Sequence, residues 1–307
     1  MSGNVEIVEV GPRDGLQSEP EILPTDRKIG LIERLIAAGL RRIEVASFVN
    51  PARVPQMADA EQVLAGLARR SDVQYVGLVL NRRGFERAVA ARCTEIGMVV
   101  AASDTFNRRN QGAGTDDSIA AWLEIARAAR QAGLRAQVTV STSFGCPFEG
   151  EIPVARVVDV ARRLAEAQPL EISLADTIGV GVPTQVAELV GRVREAVPDT
   201  RLRCHFHNTR NTGIANAYAA VQAGVRVLDS SVGGIGGCPF APAATGNIPT
   251  EDLLYMLERS GISTGVSLQS VIDAGKWLQE QLGRTVPGML VKAGPFPKGG
   301  ATRSQAS

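Results

Sequence analysis

Short apolar runs alternate with longer amphipathic segments along this chain. Each run holds five to seven residues, is rich in β-branched side chains, and mostly begins 20 to 40 residues after the previous one. Runs of this kind are typical of strands buried in a parallel sheet, at the spacing of β–α units. The predicted strands are residues 5–10, 42–46, 74–80, 95–101, 136–141, 170–174, 202–207 and 225–229.

The segments between the runs carry apolar residues at the three- and four-residue intervals of an amphipathic helix. Gly39, Gly133 and Gly224 directly follow three of these segments, where a left-handed residue commonly ends a helix. The predicted helices are residues 25–38, 58–69, 118–132, 153–167, 184–197 and 212–223, followed by two closing helices at 250–259 and 267–283.

Eight strands alternating with helices over about 230 residues predict an α/β fold, specifically a (β/α)8 TIM barrel with extra C-terminal helices. A doubly wound open sheet is the alternative that the same pattern allows. No linker divides the chain, so we expect a single domain over residues 1–293. The tail at 294–307 is rich in Gly and Pro and is expected to be disordered.

Composition narrows the classes of function. Of 307 residues, 44% are hydrophobic, or about 135, which is ample for a large core. Lys plus Arg number 33 and Asp plus Glu 32, so the net charge is +1 and neither nucleic acid nor an anionic membrane is an expected partner. The chain begins with no recognisable leader, and no apolar run reaches the ~18 residues of a membrane span.

The four cysteines are widely separated and form no C-x-x-C pair. This usage is typical of a reducing compartment and argues against both a disulfide scaffold and a zinc-thiolate site. We therefore expect a cytoplasmic protein.

The first and second predicted strands supply a cation and two carboxylates. The first ends in Gly-Pro-Arg-Asp-Gly-Leu-Gln, which places Arg13, Asp14 and Gln17 where TIM barrels collect their chemistry. Glu44 lies among apolar residues of the second strand, and a buried carboxylate requires a cationic or metallic partner. Arg13 is the natural partner if the two strands are neighbours. A surface turn with an internal Arg–Asp pair, and an outward-facing Glu44, are the simpler alternatives.

The seventh predicted strand ends in the only two histidines of the chain, His205 and His207. Residues i and i+2 of a strand point to the same face, so both rings can reach one point. This favours metal ligands over two satisfied core histidines. Asp14 and Asn247 would add oxygen ligands, a mixture that suits Mg²⁺ or Mn²⁺ and permits Zn²⁺ or Fe²⁺. Asp176 ends the sixth strand and is expected on the same rim.

A glycine-rich segment follows the eighth predicted strand. Four glycines lie between Val232 and Cys238, which suits a loop that closes over a ligand. The segment lacks the Gly-Lys-Ser/Thr ending of a phosphate loop and the G-x-G-x-x-G spacing. A structural hinge with an incidental thiol is the alternative.

Together these motifs resemble the 3-hydroxy-3-methylglutaryl-CoA (HMG-CoA) lyase family, within the metal-dependent TIM-barrel lyases and aldolases that carry an Arg-Asp motif on the first strand. The glycine loop ending in Cys-Pro is the most specific of them. The segments that carry the resemblance are 11–17, 43–49, 54–59, 146–150, 175–179, 205–207 and 231–240.

The resemblance implies a role for each matching residue. Asp14, His205, His207 and Asn247 fall at metal positions, and Arg13 at the position that stabilises an enolate. Cys238 matches a catalytic loop thiol, and Asp14, Glu44 and His205 are further catalytic candidates. Gln17, Ser47, Asp176 and Thr177 fall at substrate-binding or supporting positions.

The implied reaction is cleavage of HMG-CoA to acetyl-CoA and acetoacetate, with Mg²⁺ or Mn²⁺ as cofactor (Zn²⁺ being possible in a crystal), by a homodimer. The sequence departs from the family pattern after the second histidine, where it reads Asn208-Thr-Arg-Asn211, so a different 3-hydroxy-3-substituted substrate is an alternative. A 2-keto-acid aldolase or condensing enzyme and a non-catalytic acyl-CoA-binding barrel also remain. Charge alone makes Arg53, Arg109 and Lys292 candidates for binding the CoA nucleotide.

Overall fold

Eight parallel strands close into a barrel in a computed structural model that describes residues 4–237 and 246–297. Each strand pairs with its neighbours in sequence, and the eighth pairs with the first, so the predicted (β/α)8 barrel is confirmed and the open sheet is excluded. Cys238 and residues 298–307 of the predicted tail lie outside the described residues. The strands are β1 Glu6–Glu9, β2 Arg42–Ser47, β3 Gln74–Leu78, β4 Glu95–Ala101, β5 Arg135–Ser141, β6 Ile172–Asp176, β7 Leu202–Phe206 and β8 Val227–Ser230.

Helices follow most of the strands, and three more follow β8. They are α1 Thr25–Ala37, α2 Ala60–Gly66, α3 Arg82–Ala90, α4 Asp104–Gln111, α5 Thr115–Gln131, α6 Val154–Ala165, α7 Pro183–Ala196, α8 Gly213–Gln222, α9 Thr250–Arg259, α10 Leu268–Leu282 and α11 Met289–Ala293. Within the described ranges, no helix combines the length and the apolar character that crossing a bilayer requires.

Most predicted helices are confirmed to within a few residues. Three helices of the structure were not predicted, and one predicted helix is longer than the helix observed there. The helices α3, α4 and α11 were not predicted, because α3 and α4 are polar and short and α11 has only five residues. The segment predicted as 58–69 is instead a 3₁₀ turn, Pro55–Met57, followed by the short α2. The predicted glycine stops are confirmed, since Gly39, Gly133 and Gly224 all have positive φ.

The strands separate an apolar outer layer from an interior that carries charged side chains among apolar ones. In β7, Leu202, Cys204 and Phe206 belong to the main apolar core that packs between barrel and helices. Arg203 and His205 alternate with them and line the cavity inside the barrel. One strand therefore contributes to the core and to the barrel interior at once.

Charges inside the barrel are compensated by other charges. Arg42, which is 1% exposed, forms ion pairs with two fully buried carboxylates, Glu95 and Glu171. Glu171 in turn lies 3.3 Å from Arg203. An unpaired charge at this depth would cost several kcal/mol, so each of these side chains depends on the others.

A second set of buried carboxylates ties the closing helix α9 to the first and last strands. Glu9 accepts hydrogen bonds from the N–H groups of Gly11 and Val232 and from the Thr250 hydroxyl, at 2.7–2.9 Å. Burial raises the pKa of Glu9 to about 7, although these hydrogen bonds lower it in part. The neighbouring Glu251 accepts the Gly233 N–H at 3.0 Å. These contacts fix the loops that leave β1 and β8.

Replacing Glu251 by Gln is expected to change how stability depends on pH. Burial raises the pKa of Glu251 to about 8, whereas an ordinary glutamate titrates near 4.5. The folded protein therefore holds this proton more tightly than the unfolded chain. The resulting stabilisation is complete below about pH 4.5 and is lost as the pH rises through about 8.

The free energy of unfolding should accordingly fall less between about pH 5 and about pH 8 in Glu251→Gln than in the parent, as urea titrations would measure. Glu280→Gln, on the exposed side of α10, controls for the loss of a surface charge. Equal pH dependence in the parent and Glu251→Gln would contradict this account of the buried carboxyl.

Candidate active site

A cavity of about 1290 Å³ opens at the carboxyl ends of the barrel strands. Five of the predicted catalytic and metal-binding residues line it, namely Arg13, Asp14, Glu44, His205 and His207. They come from the ends of β1, β2 and β7, or from the turns that follow. Side chains separated by almost 200 residues in sequence are therefore brought to one place, as the TIM-barrel prediction requires.

The turn that follows β1 has an unusual backbone path. Residues Gly11–Gly15 form a single π-helical turn, in which the N–H groups of Arg13, Asp14 and Gly15 all point to the Val10 carbonyl at 2.7–3.3 Å. Isolated π-helical turns are uncommon in proteins, and those that do occur are frequently found at functional sites. The turn presents the adjacent side chains of Arg13 and Asp14 to the cavity.

The predicted pairing of Arg13 with Glu44 is confirmed. The Arg13 Nε and Nη2 groups donate to the Glu44 Oε2 at 2.8 and 2.5 Å, and Nη1 donates to the Asp14 Oδ1 at 2.7 Å. Burial raises the pKa of Glu44 by more than the Arg13 charge lowers it. The neighbouring carboxylates raise the pKa of Arg13 despite its burial, so the guanidinium stays charged. Glu44 therefore holds Arg13 in a fixed orientation.

Asp14, His205 and His207 form a cluster that could hold a metal ion. One ligand atom from each lies within 4.8 Å of the others, and the two imidazole centres are 5.1 Å apart. The prediction that both histidines of the strand end point to one place is therefore confirmed.

Asn247 joins this cluster through backbone pairing. The segment that contains it forms an isolated bridge with His207, and the Ile248 N–H donates to the Phe206 carbonyl at 3.1 Å. The Asn247 Nδ2 then donates to the Asp14 Oδ2 at 2.8 Å. Pairing at the end of β7 thus brings a residue 40 positions downstream to the two histidines.

Two atoms of this polar cluster are left without a partner in the described chain and are available to a ligand. The Nδ1 of His207 and the Oδ1 of Asn247 are buried and have no hydrogen-bond partner among the described residues. Buried polar atoms normally have a partner, because leaving one without costs about 1–3 kcal/mol. A carboxylate, two imidazoles and an amide oxygen fit a divalent cation, since Mg²⁺ and Mn²⁺ prefer oxygen and zinc accepts nitrogen readily.

The electrostatics of the cluster favour the protonation states that metal ligands require at Asp14 and His207, but not at His205. Burial alone would raise the pKa of Asp14, but Arg13 and the two histidines lower it to about 2. Burial, reinforced by His205, lowers the pKa of His207 to about 4, so this ring is neutral at pH 7. Burial opposes the charge on His205 as well, but its hydrogen bond with Asp229 raises the pKa.

The glycine segment after β8 packs directly against the cluster. Gly236 and Gly237 line the cavity, and Gly236 has a φ of +115°. A Cβ atom at Gly236 would lie 2.5 Å from the Asn247 Nδ2, so no other residue fits without displacing that amide. The segment therefore needs a glycine here to approach Asn247, in addition to any flexibility. The predicted role of Cys238 falls outside the described residues.

Not all of the residues predicted to support the site line the cavity. Gln17 and Thr177 line the cavity, and the Ser47 hydroxyl donates to the Gln17 Oε1 at 3.3 Å. Asp176 is not one of the described lining residues, because its carboxylate accepts the Val180 and Gly181 N–H groups, both at 2.9 Å. Asp176 therefore shapes the loop after β6.

Of the three basic residues predicted as candidates for binding the CoA nucleotide, two line the cavity and one does not. Arg53 and Arg109 line the cavity, and the Arg109 guanidinium stacks 4.1 Å from the centre of the Phe148 ring. Lys292 lies on α11 and is not among the cavity's described lining residues. Charge alone could not distinguish these positions.

Several residues of the cavity were not predicted from the sequence, among them the ion pair of Arg203 and Asp229. Both lay inside predicted strands, and a signal for Arg203 was present. It lies two residues before His205, so the period of a strand places it on the same face. Asp229 and Asp176 both occur near the end of a strand. Nothing in the sequence showed that Asp229 would reach the cavity, or that Asp176 would instead bind the loop that follows its own strand.

Comparisons with known proteins find one matching family and several similar lyases. The HMGL-like family matches residues 4–278. A hydroxymethylglutaryl-CoA lyase from Bos taurus, named as mitochondrial, is 46% identical over 289 residues, which cover 94% of this chain and 89% of the relative. An (R)-citramalyl-CoA lyase from Chloroflexus aurantiacus is 45% identical over 301 residues, which cover 95% of each chain.

A solved structure extends the comparison to a bound complex. An HMG-CoA lyase from A. baumannii, solved with coenzyme A and 3-methylmalate, superposes with a TM-score of 0.91 at 42% identity. The match covers 96% of this chain and 98% of that one.

Replacing His207 by Ala is expected to weaken the binding of Mn²⁺ by more than about tenfold, because the cluster would lose one of its two nitrogen ligands. Isothermal titration calorimetry on metal-free protein would measure the change. Asn208→Ala is a matched control on the same strand end and should bind Mn²⁺ as the parent does. Unchanged affinity in His207→Ala would remove this residue from the ligand set.

Proposed function

Because the chain belongs to the HMGL-like family, we propose that it is an acyl-CoA lyase that cleaves HMG-CoA to acetyl-CoA and acetoacetate. The observation that carries the proposal is the position of Arg13 beside the cluster of Asp14, His205 and His207 at the mouth of one large cavity. A buried cation next to three metal-ligating groups suits a reaction that develops negative charge near a bound ion.

The cofactor is Mg²⁺ or Mn²⁺, held by Asp14, His205, His207 and Asn247. When bound, the ion would draw electron density from the tertiary hydroxyl and a carboxyl oxygen of the substrate and so acidify the hydroxyl. The two atoms left unpartnered at His207 and Asn247 support this ligand set.

Cleavage begins with loss of the hydroxyl proton, and the residues that can take it are His205 and Asp14. Both line the cavity. His205 is hydrogen-bonded through Nδ1 to Asp229, so its one remaining nitrogen, Nε2, can take this proton only when it does not hold the ion, and Asp14 is the base when it does. A positioned acid or base of this kind contributes roughly 10²–10⁴-fold to a rate.

Arg13 stabilises the charge that appears as the carbon–carbon bond breaks. A guanidinium has five N–H groups. Three of those on Arg13 donate to Glu44 and Asp14, and two are left without an acceptor among the described residues. These two can meet the oxygen of the thioester enolate without any prior rearrangement. One preorganised donor at such a position contributes about 3–4 kcal/mol to catalysis.

Cys238 would then donate the proton that converts the enolate into acetyl-CoA. The support for this step is its position in the chain, directly after Gly237 at the edge of the cavity. Closure of the glycine segment would also keep bulk water away from the enolate.

The identity of the substrate has one further candidate, (R)-citramalyl-CoA, which is favoured by the similarity to the Chloroflexus aurantiacus lyase. Both thioesters carry a tertiary alcohol with a methyl and a carboxyl-bearing group, and they differ by one methylene. A pocket discriminates one methylene by only about 1–3 kcal/mol, so small changes in its lining decide the preference.

We place the protein in the cytoplasm as a homodimer. The compartment is supported by the cysteines, because Cys93, Cys146 and Cys204 are all free thiols in the described part of the chain. The homodimer rests on the family resemblance.

A panel of 3-hydroxy-3-substituted glutaryl- and succinyl-CoA thioesters, supplied with Mg²⁺, tests the proposed reaction. We expect metal-dependent release of acetyl-CoA from HMG-CoA or from one close analogue, because the cluster needs the ion to acidify the hydroxyl. Aldol cleavage of a 2-keto acid alone would favour the aldolase alternative. Binding of acyl-CoA without turnover would favour the non-catalytic barrel.

Replacing Arg13 by Gln is expected to lower kcat by about 10²–10³-fold with little change in metal content, because the lost interaction forms chiefly as the bond breaks. Steady-state kinetics and metal analysis would measure the two effects. Arg210→Gln, which removes an exposed guanidinium that donates to the Ile178 and Gly179 carbonyls, should retain normal turnover. Near-normal turnover in Arg13→Gln would reject this role.

A further inference from the structure

Asp229, at the end of β8, contacts the first histidine of the metal cluster from inside the barrel. Its Oδ2 lies 3.2 Å from the His205 Nδ1. We infer that Asp229 is a positioning residue, which accepts the Nδ1–H of His205 and thereby directs Nε2 toward the ion. This inference rests on the proposed metal site and adds a residue outside the ligand set.

The contact follows from the register of the barrel. Cys204 of β7 pairs with Leu228 of β8, so the next residues along the two strands, His205 and Asp229, are neighbours that both face the interior. The carboxylate is 5% exposed and the imidazole 13%. A hydrogen bond between them is therefore poorly accessible to competing water.

Asp229 is itself held from the opposite side by Arg203. The Arg203 Nε lies 3.4 Å from the Asp229 Oδ1, and the other nitrogens of Arg203 reach Glu171 at 3.3 Å and the Gln137 Oε1 at 2.6 Å. Glu171 and Gln137 thus hold the guanidinium in place, and the guanidinium faces one oxygen of Asp229 while the other oxygen faces His205. The carboxylate has little freedom to turn away.

The second histidine has no equivalent support. The Nδ1 of His207 has no hydrogen-bond partner within the described chain, although the ring is 4% exposed. The two ligands are therefore unlike. Asp229 orients His205 before any ion binds, whereas in the described part of the chain the His207 Nδ1 is left without a partner, as an atom that receives the ion would be. Carboxylates that accept the second N–H of a metal-ligating histidine typically contribute 10–100-fold to metal affinity.

Asp229→Asn tests this assignment, because it removes the charge and keeps the volume. We expect the dissociation constant for Mn²⁺, measured by calorimetry, to rise about 10–100-fold. The chain contains only two histidines, so long-range ¹H–¹⁵N spectra of the ¹⁵N-labelled rings resolve both tautomers directly. At alkaline pH, where the rings are neutral, His205 should be the Nδ1–H tautomer in the metal-free parent and should lose that preference in Asp229→Asn.

The matched control is Glu95→Gln, the same change of carboxylate to amide in the same buried layer. Glu95 contacts Arg42 and Arg135 but neither Arg203 nor His205. Its loss should affect stability while leaving the His205 tautomer and the Mn²⁺ affinity close to parental. If Asp229→Asn does not fold, Asp229→Glu keeps the charge beside Arg203 while moving the carboxylate by one methylene, and the same two readouts apply.

The outcomes separate this inference from the proposed function. A parental tautomer and parental Mn²⁺ affinity in the Asp229 variants would overturn the positioning role while leaving the lyase intact. Equal effects in Glu95→Gln would also overturn it, since a general disturbance of the ionic layer would then suffice. If the parent binds no Mn²⁺, the metal site of the proposed function fails, and the tautomer spectra of metal-free protein still decide the role of Asp229.

Discussion

The need to compensate buried charge determines how this barrel is built. A charged side chain inside the ring of strands costs several kcal/mol unless another charge or a bound ion faces it. Arg42, Glu171, Arg203, Asp229 and His205 therefore form a chain of contacts that runs through the interior to the cavity. The metal cluster continues this chain at the open end, where Asp14 and His207 complete it. The residues of the site and those of the barrel interior therefore meet the same requirement, that each buried charge faces a compensating charge.

Much of the fold could be predicted because its signals are local. The period of two in each strand, the spacing of the β–α units and the glycine stops all lie within short stretches of sequence. Helix α4, by contrast, was missed, since Phe106 is its only buried apolar side chain and Asn107 is the other buried residue. The site residues at strand ends were predicted by the same local signal, together with the family resemblance.

The contacts that complete the site are not local, and the sequence could not predict all of them. The bridge between His207 and Asn247 depends on how the chain returns after the glycine segment. The role of Asp229 depends on the register between β7 and β8. Asp176 and Asp229 both occur near the end of a strand, yet one binds its own loop and the other binds His205. Only the arrangement in three dimensions distinguishes them.

The central claim is that Asp14, His205, His207 and Asn247 share one divalent ion beside Arg13. The most direct measurement is a crystal structure of the protein soaked with Mn²⁺, with data collected for anomalous scattering. The account predicts a single strong anomalous peak within about 2.0–2.4 Å of a ligand atom from each of the four side chains. A peak elsewhere in the barrel, or none at saturating Mn²⁺, would contradict it.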